Sequence, residues 1–576
     1  MPEILEGVGS LRYPRPMPPL AEGYYADNFQ SVIDTAYGRY HDLLTEEEVA
    51  YHRAFSDLDP APRRLYVRLV SRRGPLVRLD RLDYPEIGDL GAAVDALVSA
   101  GLLDFGADAP AGEWVDLLLR AELMALALDE LPGAGGWAPS ARRGDLLLAL
   151  IEGLEPEALA SAVQARVRAL RPLGQEYLLV YRLLFFGNLG QDWTELLLRD
   201  LGVLRFEPYE LRRELRLFDC REAIDHGLGL RLLRDQATDL LAAGELGAAG
   251  DLARGVAQSA DRWHTSARRY VDRILVAVAR DLERAGRLEA ALELYGPAHR
   301  PPARERRCRV LLRLDRDEEA LALAREIEAS PRDETEAVFA PAFAHRVARR
   351  LGQVDTPWRR PKRPTVDLEM PVRYDDVSVE WQVLAALEGD GRCAVYTENW
   401  LWRSLFGLAF WDIIFSPVSG AFEHPFQAGP LDLHGPEFRA SREAAVAERL
   451  RELTEEGDLE SRILSVYRAK RGTVSTLVAW QAVLEPPLRA VLRHLRGPEL
   501  AVVCDRLSRD PGRYGRGFPD LFVVAPDAPG GFELWEVKAP GDQIRPEQGA
   551  WIDHLNDRGV VAKVLRVRWA DRGSDP

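Results

Sequence analysis

The sequence predicts a multidomain chain in which mainly α-helical N-terminal regions are followed by a C-terminal α/β domain. Three observations carry that prediction. At 576 residues the chain exceeds the length at which a single hydrophobic core stops growing. Segments rich in Ala, Leu, Arg and Glu, punctuated by Gly and Pro, fill the first two-thirds. After residue 500 the pattern turns to short apolar runs bounded by turn residues, set beside helical stretches.

Residues 1–110 read as a helical N-terminal region. Thr45 followed by Glu48 has the spacing of a capping box, in which each side chain satisfies the other residue's backbone N–H. Leu65 to Leu79 set apolar positions among arginines, and the run to Leu103 completes a small helical module. Arg63, Arg64, Arg68, Arg72 and Arg73 form a basic cluster suited to a phosphate backbone, although solvated helix faces carry such clusters too. Residues 111–160 hold two helical patterns around Gly133-Ala-Gly-Gly136, followed by Trp137 and Arg142-Arg143. That helix, loop, helix order resembles a SAP-type DNA-binding module, with Arg142 and Arg143 as its candidate DNA contacts.

Residues 161–365 read as a helical region with degenerate TPR-like repeats. Leu241-Ala-Ala-Gly-Glu-Leu246 recurs loosely as Leu282-Glu-Arg-Ala-Gly-Arg-Leu288 and again at Leu314-Asp-Arg-Asp317, at intervals that straddle the roughly 34-residue helical repeat. Such arrays stack helix pairs into a curved scaffold. Pro357-Trp-Arg-Arg-Pro-Lys-Arg-Pro364 marks a linker. Residues 366–576 form the α/β domain, with strands expected at Ala501-Val-Val503, Leu521–Val524, Phe532–Val537 and Val560–Val567, and a second basic cluster at Arg468, Lys470 and Arg471.

Composition narrows the setting. Four cysteines without CxxC spacing argue against a disulfide framework and against a structural zinc site. The N-terminus lacks the basic and apolar regions of a signal peptide, and the most apolar window, Trp400 to Phe415, is broken by Arg403 and Asp412. The expected location is therefore cytoplasmic, at work on the nucleoid, with no membrane partner. A net charge of −16 opposes nucleic-acid binding only on average, because basic stripes can lie on an acidic body.

The candidate chemistry lies in the last domain. Asp520 opens one apolar run and Glu536-Val-Lys538 closes the next, across the turn Ala525-Pro-Asp-Ala-Pro-Gly-Gly531. A hairpin centred on residue 528 sets Asp520 beside Glu536. Side-chain alternation then gives Glu536 and Lys538 one face, turns Val537 into the core and leaves its carbonyl available. Two carboxylates and a lysine suit phosphodiester hydrolysis, because hard oxygen ligands hold Mg²⁺ or Mn²⁺ and the lysine can steer the attacking water. Gln548, just inside the next helix, can reach the same face. His424 reads as a structural loop residue, and Trp381, Trp400 and Trp402 read as core rather than as base-stacking platforms.

These residues sit in stretches similar to the Fanconi-associated nuclease family, whose last domain is of the VRR-NUC class. The resemblance runs through Tyr24–Phe29, Leu65–Leu69, Trp411–Phe415, Pro430–Leu433, Ser441-Arg442, Leu477–Trp480, Gly517–Asp520 and Glu536–Lys538. It implies a restriction-endonuclease-like PD-(D/E)xK fold for the C-terminal domain. It also implies a structure-selective 5′-flap endonuclease and 5′→3′ exonuclease that acts on branched or flapped double-stranded DNA in interstrand-crosslink repair; the oligomeric state stays open, with an asymmetric monomer favoured for flaps over a symmetric dimer. By the same resemblance, Glu398, Asp520, Glu536 and the Val537 carbonyl bind metal, while Asp520, Glu536, Lys538 and Gln548 carry catalysis. Two departures stand out. No Cys and His set matches the ubiquitin-binding zinc finger of eukaryotic members, so ubiquitin binding is not expected, and Glu547 stands where those members place a basic residue for a 5′ phosphate. A junction-resolving endonuclease and a non-catalytic DNA-binding repeat scaffold are the alternative readings.

Overall fold

The computed structural model describes residues 22–72, 74–131, 140–191, 204–259, 262–264, 268–356, 358, 362–371, 376–398, 400–455 and 457–570. The chain divides into two units, Met1–Val203 and Leu204–Pro576. None of the described helices is long and apolar enough to cross a membrane.

In the first unit, helices Tyr24–Tyr40, Glu46–Ser56 and Pro60–Val70 close around the buried rings of Phe29, Phe55 and Tyr66. The capping box is formed as expected: Thr45 N–H donates to Glu48 Oε2 at 2.9 Å, and Glu48 N–H donates to Thr45 Oγ1 at 3.3 Å. Strands β1 (Val77–Arg78), β2 (Leu103–Asp104) and β3 (Ala169–Pro172) make a three-stranded antiparallel sheet in the order β1-β3-β2. This small sheet sits within a region that is mainly helical as expected, and its two-residue strands are too short for alternation to register in the sequence. Helices Ala111–Asp116, Arg120–Glu130, Arg143–Gly153 and Pro156–Gln164 share a core of Trp114, Leu123, Leu126, Leu146, Leu150 and Val163. The turn expected at Gly133–Gly136, with Trp137, lies outside the described residues.

The second unit begins with the repeats. Seven helices, Arg221–Ala242, Leu246–Gln258, Arg268–Arg284, Leu288–Tyr295, Ala303–Arg313, Asp317–Ala329 and Glu334–Arg350, pack as successive neighbours. The recurring motif is the helix end. Gly244, Gly286 and Asp315 each take positive φ, and the next N–H reaches back to Leu240, Leu282 and Leu311 at 2.9–3.0 Å, which caps the orphan carbonyls of the last turn.

Five strands then build a mixed sheet in the order β4-β8-β7-β6-β5. They are β4 (Thr365–Met370), β5 (Ala394–Tyr396), β6 (Leu521–Val524), β7 (Phe532–Lys538) and β8 (Ala562–Trp569). Strands β4, β8 and β7 run parallel, whereas β7-β6 and β6-β5 are antiparallel. One face of the sheet carries Leu521, Val523, Trp535, Val537 and Leu565, and the other joins a larger core with Phe522, Phe532, Leu534 and Val564. Ala501-Val-Val503, read as a strand, lies in helix Gly497–Arg509 instead. The reason is helical periodicity: Leu500, Val503, Cys504 and Leu507 recur on one buried face against helix Glu443–Thr454. Early chain also joins this layer, for Tyr209 donates its hydroxyl to His424 O at 2.6 Å and Arg205 bridges Thr473.

Candidate active site

The site forms where three strand ends meet. In the β6–β7 hairpin Leu521 pairs with Trp535, a register that extrapolates to Asp520 opposite Glu536, as the hairpin centred on residue 528 requires. In the β5–β6 pair Tyr396 lies opposite Leu521, so Thr397 falls beside Asp520. Thr397, fully buried, donates its N–H to Asp520 O at 2.8 Å and its hydroxyl to Pro519 O at 3.2 Å. Glu398 follows directly, exposed, with the Tyr396 hydroxyl hydrogen-bonded to its carboxylate. Four groups named from sequence therefore come together: Glu398, Asp520, Glu536 and Lys538.

Burial sets their electrostatics. Glu536 is 0% exposed and Asp520 only 7%. Val537 N–H donates to Asp520 Oδ2 at 2.8 Å, and Lys538 Nζ donates to Glu536 Oε1 at 2.6 Å. Burial pushes both carboxyl groups well above the usual carboxylate range. For Asp520 the neighbouring Glu536 adds to the rise and the Val537 N–H opposes it. For Glu536 the Lys538 ammonium opposes the rise, and Glu380 and Glu398 add to it. Burial and the bond to Glu398 likewise raise the Tyr396 phenol. The unrelieved negative charge has a geometric counterpart: Glu536 Oε2 is buried without a hydrogen-bond partner. Such a group is costly unless a cation satisfies it. The donor set consists of carboxylate oxygens with a strand carbonyl at Val537, so the residues present fit a divalent cation of the hard class.

Glu380 is the residue that sequence reasoning missed. It sits half-buried in the first turn of helix Val379–Gly389, and its charge bears on Asp520, Glu536 and Tyr396 alike. An acid in a helical first turn is common, since the helix dipole favours it, so nothing local in the sequence marked it out. Beside it Trp381 is 47% exposed and lies 5.3 Å from the Tyr396 ring, which corrects its assignment to the core. Trp402 is buried as expected, and so is His424.

Gln548 lies in the first turn of helix Pro546–Asn556, where its side-chain oxygen accepts the Arg545 N–H at 3.0 Å. Glu547 is exposed and lines a cavity of about 380 Å³ together with Arg309, Arg346, Arg506, Arg513 and Arg516. The candidate DNA contacts are varied in their engagement. Arg63 donates to the Leu58 and Ser56 carbonyls, Arg64 pairs with Glu22 at 3.0 Å, and Arg68 pairs with Glu86 at 3.0 Å beneath the Tyr25 ring. Arg72 donates to the Tyr84 hydroxyl, and Arg73 lies outside the described residues. Arg142 is exposed and Arg143 pairs with Asp116 at 3.3 Å. Arg468 pairs with Glu485 at 2.6 Å and Lys470 with Glu207, whereas Arg471 is exposed with no ion-pair partner among the described residues.

Comparison with known proteins places this geometry. Residues 23–104 match the family model described as FAN1, HTH domain, and residues 454–569 match the VRR-NUC domain. The Fanconi-associated nuclease 1 homolog of Pseudomonas aeruginosa is 34% identical over 567 residues, covering 95% of this chain and 96% of that protein. The Oryza sativa homolog is 27% identical and covers 94% of this chain, which spans 62% of that longer protein. A crystal structure of paFAN1 bound to 2nt 5′ flap DNA with gap superimposes with a TM-score of 0.81 at 32% identity, covering 96% of this chain and all of that one.

Proposed function

The chain belongs to the Fanconi-associated nuclease family, and from that premise we propose that it is a metal-dependent, structure-selective nuclease. Its substrates on this reading are DNA 5′ flaps, cut endonucleolytically and degraded 5′→3′, and its setting is interstrand-crosslink repair. The observation that supports this reading most is the convergence of Glu398, Asp520, Glu536 and Lys538 at one sheet end, around a buried carboxylate oxygen that has no partner. The solved relatives that hold 5′ flap DNA support the substrate class.

In this mechanism Glu398, Asp520, Glu536 and the Val537 carbonyl would hold Mg²⁺ or Mn²⁺, with Glu380 lending further negative charge. The cation, when bound, offsets the charge of the phosphodiester and acidifies water. Lys538 is held beside Glu536, so its ammonium can orient a water toward phosphorus and offset charge on the non-bridging oxygens. Gln548 has its side-chain oxygen engaged as a helix cap, which leaves the amide NH₂ to donate to DNA.

Cleavage of end-labelled 5′ flap, nicked and four-way-junction DNA, with Mg²⁺, Mn²⁺ or excess chelator, tests the reading. Cutting near the flap base that requires metal is the expected result. Full activity in chelator overturns the metal mechanism, and symmetric resolution of four-way junctions in preference to flaps overturns the substrate class.

A further inference from the structure

Two guanidinium groups close in sequence to the site carboxylates make no ion pair among the described residues. Arg403 lies in helix Trp400–Ala409, five residues after Glu398 in the chain. One of its five donors is used, with Nη2 donating to Thr476 O at 2.7 Å, and its Nε is buried with no partner. Gly515 presses against it, since a Cβ there would lie 3.3 Å from Arg403 Cδ. Arg516, the next residue, is exposed, and its charge bears on Arg403. Neither has a carboxylate in ion-pair range among the described residues. Arginines elsewhere in this layer do: Arg439 with Asp505 at 2.7 Å, Arg442 with Asp432 at 2.7 Å, Arg363 with Asp553 at 2.5 Å, and Arg513 with Asp333.

Glu547 lines the same cavity as Arg516, but no ion pair joins it to either guanidinium among the described residues. Burial and Arg516 together hold the Arg403 guanidinium below its usual range, and burial and Arg403 depress the His434 imidazole. Asp510, which bears on His434, spends its carboxylate on the Arg513 N–H at 3.0 Å. A half-buried cation that faces a second cation is costly, and it persists where a ligand supplies the missing negative charge. Its place defines that ligand. Arg403 follows Glu398 in the chain, and Arg516 precedes Asp520 across Phe518, which packs on Trp402 and Trp551. Both arginines thus lie within five residues of a site carboxylate along the chain.

We propose that Arg403 and Arg516 together bind one internal backbone phosphate of the substrate strand, near the scissile bond. This rests on the nuclease reading for the identity of the substrate. The forked donors of arginine match two phosphate oxygens, and the contact fixes register rather than sequence. It fixes which linkage enters the carboxylate cluster.

The test pairs protein variants with single neutral methylphosphonate linkages walked along the flap strand. Binding is read by anisotropy in chelator, so it does not depend on cleavage. Arg403→Met, which keeps the apolar stem, is expected to weaken binding to all-phosphate DNA by roughly tenfold, and Arg516→Met to do likewise. On the one substrate whose neutral linkage falls at the site, wild-type protein drops to the same level and the variants lose nothing more. Arg403→Lys restores part of the loss, and under cleavage conditions KM rises more than kcat falls. Equal losses on every methylphosphonate substrate, or no loss, overturn the proposal. An effect that disappears only when a terminal 5′ phosphate is replaced by hydroxyl also overturns it, by assigning the pair to the strand end. Should Arg403→Met lower thermal stability through the Thr476 contact, the exposed Arg516→Met carries the same comparison. Coupled binding in a protein that cuts no DNA with any divalent ion leaves this assignment standing and removes the nuclease reading, while cleavage without coupling does the reverse.

Discussion

At the scale of single residues, the carboxylate cluster was legible because it rests on hairpin symmetry. Asp520 and Glu536 flank a turn rich in Pro and Gly at equal distances, and the register 521 to 535 bears that out. Glu398 came from family resemblance, and Glu380 was hidden because the helix that carries it reaches the site through packing and not through sequence spacing. Conservative amides separate charge from shape. Asp520→Asn and Glu536→Gln are expected to lower cleavage at least a hundredfold while flap affinity in chelator changes little, because distributed cations supply the affinity. Glu380→Gln should cost less, about tenfold, and raise the metal concentration needed for half-maximal rate. Anisotropy beside single-turnover rates decides the matter, and parallel loss of binding would make these residues structural. Glu547 belongs to this scale as well. With a carboxylate in the arginine-lined cavity, flaps ending in 5′ hydroxyl and 5′ phosphate are expected to be cut at similar rates, and Glu547→Lys should shift preference toward the phosphate. A strong phosphate preference that is unchanged by the substitution would place the terminal contact elsewhere.

At the scale of elements, helix ends were easier to read than short strands. The recurring Gly244, Gly286 and Asp315 mark turns that need a left-handed residue, a local requirement written into sequence. The two-residue strands β1 and β2 carry no such mark, and Ala501-Val-Val503 looks like a strand only when its helical neighbours Leu500, Cys504 and Leu507 are ignored. Two glycines separate conformational from steric demands. Gly286 has open space where a Cβ would stand but a φ of 77°, so Gly286→Ala should destabilise by about 1 kcal/mol. Gly497 starts a helix with ordinary φ, yet a Cβ there would fall 1.8 Å from the Leu453 carbonyl oxygen. Gly497→Ala is expected to cost about 2–3 kcal/mol because the backbones of two packed helices must part. Chemical denaturation compares them, and equal effects would mean that the helix pair yields without strain.

At the scale of the whole molecule, an acidic chain of net charge −16 holds many of its arginines in internal pairs, so a count of basic clusters overstates what is free to meet DNA. Arg68 is held by Glu86 and Tyr25, while Arg471 has no such partner among the described residues. Accordingly, Arg471→Ala should reduce the slope of log affinity against log salt by about 0.9, and Arg68→Ala should leave that slope unchanged while lowering stability. A reduced slope for Arg68→Ala would show that its internal pair opens on DNA. The division into helical regions and a final α/β domain was legible from composition, whereas the return of residues such as Tyr209 onto the later layer was not, since contacts between distant segments leave no local pattern. Sheet order carries a consequence for biosynthesis. Edge strand β4 is hydrogen-bonded along its length to β8 and so waits for the segment from Ala562 to Trp569 to leave the ribosome, whereas β7 already has β6 as a partner. Pairings this distant form late. The pairings of β5 with β6 and of β6 with β7 hold Glu398, Asp520, Glu536 and Lys538 together by themselves, so a nascent chain can gather its hydrolytic residues before β8 emerges, while the parallel half of the sheet that backs them is still missing.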